Sequence, residues 1–141
     1  MGLGVDLARL ALLASGCAAH LRAGGVAVIK RVSLVRRKEG MGREEFLAHW
    51  MGPHAEIVRQ LPGVRGLRFG VVTQWSPEEA FWDGVGEVWF DSIEAANAAF
   101  AAEPHRSLLV ADRRSFLGEA QSGFVEEHTV VTPAGDAPRA D

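Results

Sequence analysis

Apolar residues follow two different spacings along this chain, and the two spacings succeed one another in a regular order. Residues 26–35 (VAVIKRVSLV) are rich in β-branched side chains and predict a first strand. Residues 43–61 carry apolar side chains at three- and four-residue spacing, which predicts a helix with one buried stripe. Residues 64–75 alternate in side-chain character and predict a second strand, and residues 85–90 (VGEVWF) predict a third, joined to the second by a short connection.

The second half of the chain repeats this order. Asp91 and Glu94 form a predicted capping box for a second long helix, which Pro104 ends. A short helix is predicted at residues 105–116 and a fourth strand at residues 124–132. The pattern predicts an α+β, ferredoxin-like βαββαβ fold, a four-stranded antiparallel sheet with its helices on one face. The uncovered face carries aromatic residues, so we expect a homodimer that packs sheet to sheet.

The two ends of the chain differ from this central domain. Residues 1–25 predict an N-terminal helical extension or leader. Residues 13–17 (LASGC) resemble a lipoprotein cleavage box, but the first five residues contain no Lys or Arg, which disfavours a signal peptide. We therefore expect one domain at residues 26–132 and a disordered tail rich in Pro, Ala, Gly and Asp at residues 133–141.

Composition and charge argue against nucleic acid and membranes as partners of this protein. A net charge of −3 and a pI near 5.9 argue against nucleic-acid binding. The short basic runs at residues 30–31 and 36–38 are interpreted as solvated strand ends, with an arginine at the mouth of a pocket as the alternative. No stretch approaches the roughly 20 apolar residues that cross a bilayer, so no membrane partner is expected. The single cysteine, Cys17, allows no intrachain disulfide and indicates a reducing, cytoplasmic location.

The most distinctive chemistry lies in the first predicted helix. His54 falls on the apolar stripe, directly after Gly52 and Pro53. Proline removes a backbone donor, so the helix is expected to kink or restart there and to direct His54 toward a cavity. A partly desolvated imidazole with a pKa near neutrality suits a general base. The alternative is a structural histidine that hydrogen-bonds the backbone at the kink.

The other polar candidates carry weaker signals. His49 is expected to make a structural hydrogen bond to a neighbouring strand, with a role in the cavity as the alternative. Asp83 could orient a histidine or act as an acid, or it could simply form the turn before Gly84. His49 and His54 are five residues apart with no obvious third ligand, so no metal site is expected. The sequence contains no phosphate loop and no dinucleotide fingerprint, and no cofactor is expected.

Four motifs in order resemble the EthD-like family of the dimeric α/β-barrel superfamily. They are residues 39–46 (EGMGREEF), the pairs at 49–50 (HW) and 53–54 (PH), residues 83–84 (DG) before 87–92 (EVWFDS), and residues 124–131 (FVEEHTVV). The resemblance spans about residues 30–131 and implies a ferredoxin-like protomer, a dimer and a cavity between sheet and helices.

Known members of this family include proteins of ether-fuel degradation, fungal polyketide dehydratases or decarboxylases, and methylmuconolactone methylisomerases. In the methylisomerases a histidine of the first helix works with a cysteine of the third strand. His54 matches that histidine, whereas Val88 occupies the cysteine position, so the same thiol-assisted isomerisation is not expected here.

Residues and resemblance together predict a cofactor-independent enzyme of catabolic or polyketide-type metabolism. It would isomerise, dehydrate or cyclise a small apolar carbonyl or lactone compound by acid/base catalysis. The candidate catalytic residues are His54 and Asp83, and the candidate contacts of the bound molecule are His49, Trp50, Phe69, Trp82 and Val88. The alternatives are a non-catalytic small-molecule-binding accessory protein of a degradation pathway and a cofactor-free monooxygenase.

Overall fold

The structure, a computed structural model, describes residues 28–73 and 81–136. The predicted N-terminal helix lies outside these residues, as do the last five residues of the predicted tail. The predicted order of elements is confirmed. In chain order the elements are β1 (Ile29–Arg37), α1 (Arg43–His49), a π-helical turn (Trp50–His54), α2 (Ala55–Arg59), β2 (Gly66–Val71), β3 (Gly84–Phe90), α3 (Ile93–Ala101), α4 (His105–Phe116) and β4 (Leu117–Val125).

The four strands form one antiparallel sheet in the order β2-β3-β1-β4. Alternation along each strand decides which residues face the helices. Val88 of β3 is buried and pairs with Arg31 of β1 and Leu67 of β2, so these three positions face the helices together. The opposite parity places Glu87 and Trp89 on the open face. The predicted ferredoxin-like architecture is therefore confirmed.

The predicted fourth strand at residues 124–132 is wrong. The strand is Leu117–Val125, which follows α4 directly and pairs with β1 at the sheet edge. Its sequence, LGEAQSGFV, is mostly polar or small, and pairing with β1 rather than propensity makes it a strand. The β-branched Val130 and Val131 that favoured the later position lie outside any strand, 93% and 83% exposed. His128 is exposed too, with Nε2 3.3 Å from Glu126 Oε1.

The predicted capping box at Asp91 is also wrong, by one residue. Ser92 caps α3, and its hydroxyl oxygen accepts a hydrogen bond from the Ala95 N–H at 3.0 Å. Asp91 instead accepts two hydrogen bonds from the guanidinium of Arg65, at 2.9 and 2.8 Å. Propensity does not separate two adjacent capping residues, and the side-chain partner of Asp91 comes from a distant part of the chain.

The buried apolar residues form two clusters between the sheet and the helices. One cluster is centred on Phe90 and α3, and the other joins Phe46 and Trp50 to Phe116. Burial of these side chains is the main favourable term in the stability of the domain. No helix in the described part of the chain is long and apolar enough to cross a membrane.

Candidate functional site

A cavity of about 290 Å³ lies between the sheet and the helices, in contact with both apolar clusters. Its walls are mainly apolar, with a small number of polar side chains, as is typical of sites for small organic molecules. The lining residues that matter for its chemistry are Arg31, Ser33, Trp50, His54, Phe69, Val88, Phe100, Arg113 and Ser122.

His54 is held in the cavity wall by a carboxylate from another helix. Its Nδ1 lies 2.7 Å from Oδ2 of Asp112 on α4, and the residue is only 7% exposed. An ionised carboxylate only accepts hydrogen bonds, so Nδ1 carries the proton. This leaves Nε2, with its lone pair, as the ring nitrogen available to a molecule in the cavity.

The π-helical turn explains why Asp112 contacts two histidines. In a regular α-helix, residues five apart are separated by about 1.4 turns and point in different directions. The turn at Trp50–His54 contains Pro53 and has the wider i to i+5 spacing, which brings His49 and His54 to one side. His49 Nε2 lies 2.7 Å from Oδ1 of Asp112, so each carboxylate oxygen binds one imidazole. The predicted irregularity at Pro53 is present, and it shapes the site.

Burial sets the protonation state of His54. Desolvation in the cavity wall lowers the pKa of His54 below its usual value of 6.5. The hydrogen bond to Asp112 and its charge act in the opposite direction, while Arg113 and His49 lower the pKa further. The net direction is downward, so the imidazole is neutral at pH 7 and can accept a proton.

Aromatic side chains support the histidine. The ring of Trp50 stacks on Phe69 with 4.4 Å between centroids, and Phe116 contacts the rings of His49 and His54 at 4.6 and 5.0 Å. Trp50 reaches this position because its ring lies against Gly84, where a Cβ would come within 2.3 Å of it. The rotamer of the tryptophan and the orientation of the histidine are therefore set by packing.

The structure brings some of the predicted site residues together and separates others. Trp50, His54, Phe69 and Val88 line the cavity, and His49 lies beside it on Asp112. The hydrogen bond predicted from His49 to a neighbouring strand is wrong, because the partner of His49 is Asp112 on helix α4.

Asp83 and Trp82 lie apart from this cavity. The carboxylate of Asp83 accepts hydrogen bonds from the backbone N–H and the guanidinium of Arg37, at 2.8 and 3.0 Å, and it borders a separate surface cleft. Trp82 packs edge-on against Phe81, with 4.9 Å between ring centroids. The carboxylate at hydrogen-bond distance from His54 is that of Asp112.

Sequence reasoning missed three polar residues of the site. Asp112 was placed on the short helix without a role, because nothing local links it to a histidine 58 positions away. The solvated strand end predicted for Arg31 is wrong, and its place in the cavity wall fits the alternative of an arginine at a pocket, since it shares the parity of the buried Val35 on β1. That parity was the available signal. Arg113 had none beyond its position on a helix. No group of three or more His, Cys, Asp and Glu side chains in the described ranges is arranged to hold a metal ion.

The sheet, its one layer of helices and the cavity between them define a ferredoxin-like α+β domain. The profile of the EthD domain family matches residues 38–120, more than half of the chain. The chain belongs to the EthD domain family. No protein with a curated description matches it.

Solved structures share the fold at low sequence identity. An EthD family protein from Bacillus halodurans superimposes with a TM-score of 0.62 at 20% identity, covering 72% of this chain and 99% of that one. A dimeric ferredoxin-like protein from Bacteroides fragilis gives 0.53 at 16% identity, covering 72% and 97%. The hydroxynitrile lyase from Passiflora edulis gives 0.59 at 10% identity, covering 77% and 100%.

Proposed function

We propose that the protein is a cofactor-independent enzyme that moves a proton on a small carbonyl or lactone compound, with His54 as general acid/base. The observation that carries this proposal is the 2.7 Å contact between His54 Nδ1 and Asp112 in the wall of the cavity. This contact orients the ring so that the unprotonated Nε2 is available to the bound molecule. Glutamine or alanine in place of His54 would leave the cavity without a base.

The proposed reaction begins with proton removal from the carbon next to the carbonyl. Nε2 of His54 takes the proton, and the negative carboxylate of Asp112 stabilises the imidazolium that forms. Returning the proton to another carbon isomerises the compound, and delivering it to a leaving hydroxyl completes a dehydration. Attack by the enolate carbon on a second carbonyl would give a cyclisation, with the imidazolium of His54 returning its proton to the alkoxide that forms. The occurrence of a lyase among proteins of this fold supports such chemistry only by analogy.

Exchange with solvent tests the proton-transfer step without knowledge of the natural product. Wild-type protein in D₂O is incubated with lactones, aryl ketones and aryl keto acids, and the loss of each α-carbon proton signal is followed by NMR. The proposal expects faster exchange for at least one compound, lost in a His54→Gln variant. Binding without exchange would indicate the accessory-protein function. Oxygen consumption with a bound compound would indicate the cofactor-free monooxygenase.

The lowered pKa of His54 predicts a pH dependence of both charge and stability. The folded protein holds the imidazole neutral more strongly than the unfolded chain, whose histidine titrates near 6.5. The unfolded state therefore binds more protons as the pH falls below 6.5, and the contribution of neutral His54 to stability is lost as the pH falls through the folded-state pKa. We expect an NMR titration midpoint for His54 below 6.5.

The control is to measure the free energy of unfolding of the wild type and of His54→Gln by urea denaturation at several pH values. The loss of stability at low pH that occurs in the wild type but not in the variant is the contribution of His54. A His54 midpoint above 6.5 would contradict the prediction and would mean that the Asp112 contact outweighs burial.

We further propose that the chain forms a homodimer through the open face of its sheet. On this face Trp89 lies between two cations, with Lys30 Nζ and the Arg68 guanidinium 5.4 and 5.6 Å from the ring centroid. Lys30 also forms an ion pair with Glu87 at 2.7 Å. Aromatic residues and arginine are enriched in interfaces between proteins, and Trp89 and Arg68 lie together on this uncovered face. We also propose a small molecule as the partner of the cavity and the cytoplasm as the location of the protein.

A glutamate at the centre of this face should prevent association. We expect wild-type protein to scatter light with twice the 15.2 kDa mass of one chain and Trp89→Glu to elute as a monomer. The matched control is Leu108→Glu, because Leu108 is an exposed apolar residue on α4, away from the sheet face. Equal masses for wild type and Trp89→Glu would exclude this face as the interface.

A further inference from the structure

Two arginines project into the cavity from opposite layers of the fold. Arg31 extends from β1 and Arg113 from α4, and both line the space that His54 faces. The guanidinium of Arg31 lies 4.5 Å above the ring of Phe100, and its Nη1 donates to the hydroxyl of Ser33 at 3.1 Å. The side chain is thus held in place by stacking and by a hydrogen bond to an uncharged hydroxyl, neither of which neutralises its charge.

The charge of these two groups is not balanced within the cavity. No carboxylate lines it, and neither guanidinium makes an ion pair with an acidic side chain in the described ranges. The nearest acid in sequence, Asp112, already gives one oxygen to each of two histidines. Placing two like charges in a partly enclosed, mainly apolar space costs free energy unless an anion joins them.

The titration behaviour of the arginines is consistent with this picture. Burial lowers the pKa of Arg31, and the positive charge of Arg113 lowers it further. Burial also lowers the pKa of Arg113, while the charge of Asp112 acts in the opposite direction. Arginine stays protonated under all ordinary conditions, so both side chains bring a positive charge to the cavity wall.

We propose that the cavity binds the carboxylate of a keto acid or a lactone acid, with Arg31 and Arg113 as its anion-binding residues. A guanidinium binds a carboxylate through two parallel hydrogen bonds, which orients the molecule as well as attracting it. The carboxylate is held at the arginine end, and the carbon next to the carbonyl then faces Nε2 of His54. The substrate is apolar along its body and anionic at one end. The position of the reacting carbon rests on the proposed function, whereas the anion site does not.

Two probe molecules that differ only in a carboxylate measure how much that charge contributes to binding. Binding of 4-oxo-4-phenylbutanoate and of its methyl ester is measured by isothermal titration calorimetry with the wild-type protein. The two probes share the ketone and the phenyl ring, and only one carries a carboxylate. Charge-assisted hydrogen bonds contribute about 1.5–3 kcal/mol, so we expect the acid to bind about 10- to 100-fold more tightly than the ester.

Substitutions of Arg31 and Arg113 test whether these residues cause the tighter binding of the acid. Arg31→Met and Arg113→Met should each reduce the preference for the acid at least severalfold while leaving ester binding nearly unchanged. Arg114→Met is the control, because Arg114 neighbours Arg113 on α4 and its side chain is exposed outside the cavity. Equal affinity for acid and ester in the wild type would overturn the proposal. So would a preference that survives both cavity substitutions, or no binding of the acid at millimolar concentration.

Solvent exchange on the same keto acid separates this proposal from the proposed function. Arginine-dependent binding with no exchange at the α-carbon would uphold the anion site and reject acid/base catalysis on this class of compound. Exchange that depends on His54, with no discrimination between acid and ester, would uphold catalysis and reject the anion site.

Discussion

Replacing His54 with glutamine is expected to reduce the rate of α-proton exchange by about 10²- to 10⁴-fold, the usual contribution of a general acid/base group. Glutamine can still hydrogen-bond to Asp112, and its volume is close to that of histidine, so the cavity should keep its shape. Ligand affinity should therefore change much less than the rate. The measurement is NMR exchange in D₂O at saturating compound, with binding measured separately by calorimetry.

His49→Gln is the matched control for this prediction. Both histidines bind Asp112 at 2.7 Å, but His54 lines the cavity and His49 does not. His49 acts on the reaction only through the carboxylate that it helps to hold, so its substitution should slow exchange far less. Equal losses in the two variants would mean that the histidine pair supports the structure of the site rather than the proton transfer.

Replacing Gly84 with alanine is expected to destabilise the fold and to deform the cavity together. A Cβ at this position would lie 2.3 Å from Cη2 and Cζ3 of Trp50, and 3.1 Å from the carbonyl oxygen of Gly70. Trp50 is 1% exposed and stacked on Phe69, so it cannot move without disturbing the neighbouring rings. Overpacking of this kind costs about 1–3 kcal/mol of unfolding free energy, measured by urea denaturation.

Gly86→Ala tests whether steric conflict is the cause. Gly86 lies two residues along the same strand and faces the same side, and a Cβ there would lie 3.5 Å from Phe69, an ordinary contact. Alanine restricts the unfolded chain more than glycine does, so we expect little loss and up to about 1 kcal/mol of stabilisation. Similar destabilisation by both substitutions would instead indicate a general intolerance of side chains in β3.

Local periodicity predicted most of the fold. The three- and four-residue spacing around Phe46, Trp50 and Val58 predicted the first helix and its buried stripe. Alternation along residues 64–75 predicted that Leu67 and Phe69 share one face of β2. These features can be predicted because they depend only on residues close to one another in the sequence. β4 was misplaced because its residues, such as Gly118 and Gln121, show neither propensity nor alternation. Its strand conformation comes from hydrogen bonds to β1.

The candidate site was less predictable than the fold. His54 and the irregularity at Pro53 were visible in the sequence, because proline alters the backbone of its own helix. Asp112 was not, since the residue that holds His54 lies 58 positions along the chain and on a different helix. The alternative of a histidine bonded to backbone atoms could be set aside only when its partner and the cavity were known.

The sequence by itself determined the order of elements, the alternation of side chains along β2 and the histidine at the helix irregularity. The physical reason is that each depends on steric and hydrogen-bonding preferences within a few residues. The tertiary structure alone decided the pairing of β4, the sharing of Asp112 by two histidines and the placing of Arg31 and Arg113 in the wall of one cavity. Each of these depends on contacts between distant segments, and their electrostatic consequences exist only when packing excludes water from the space between them.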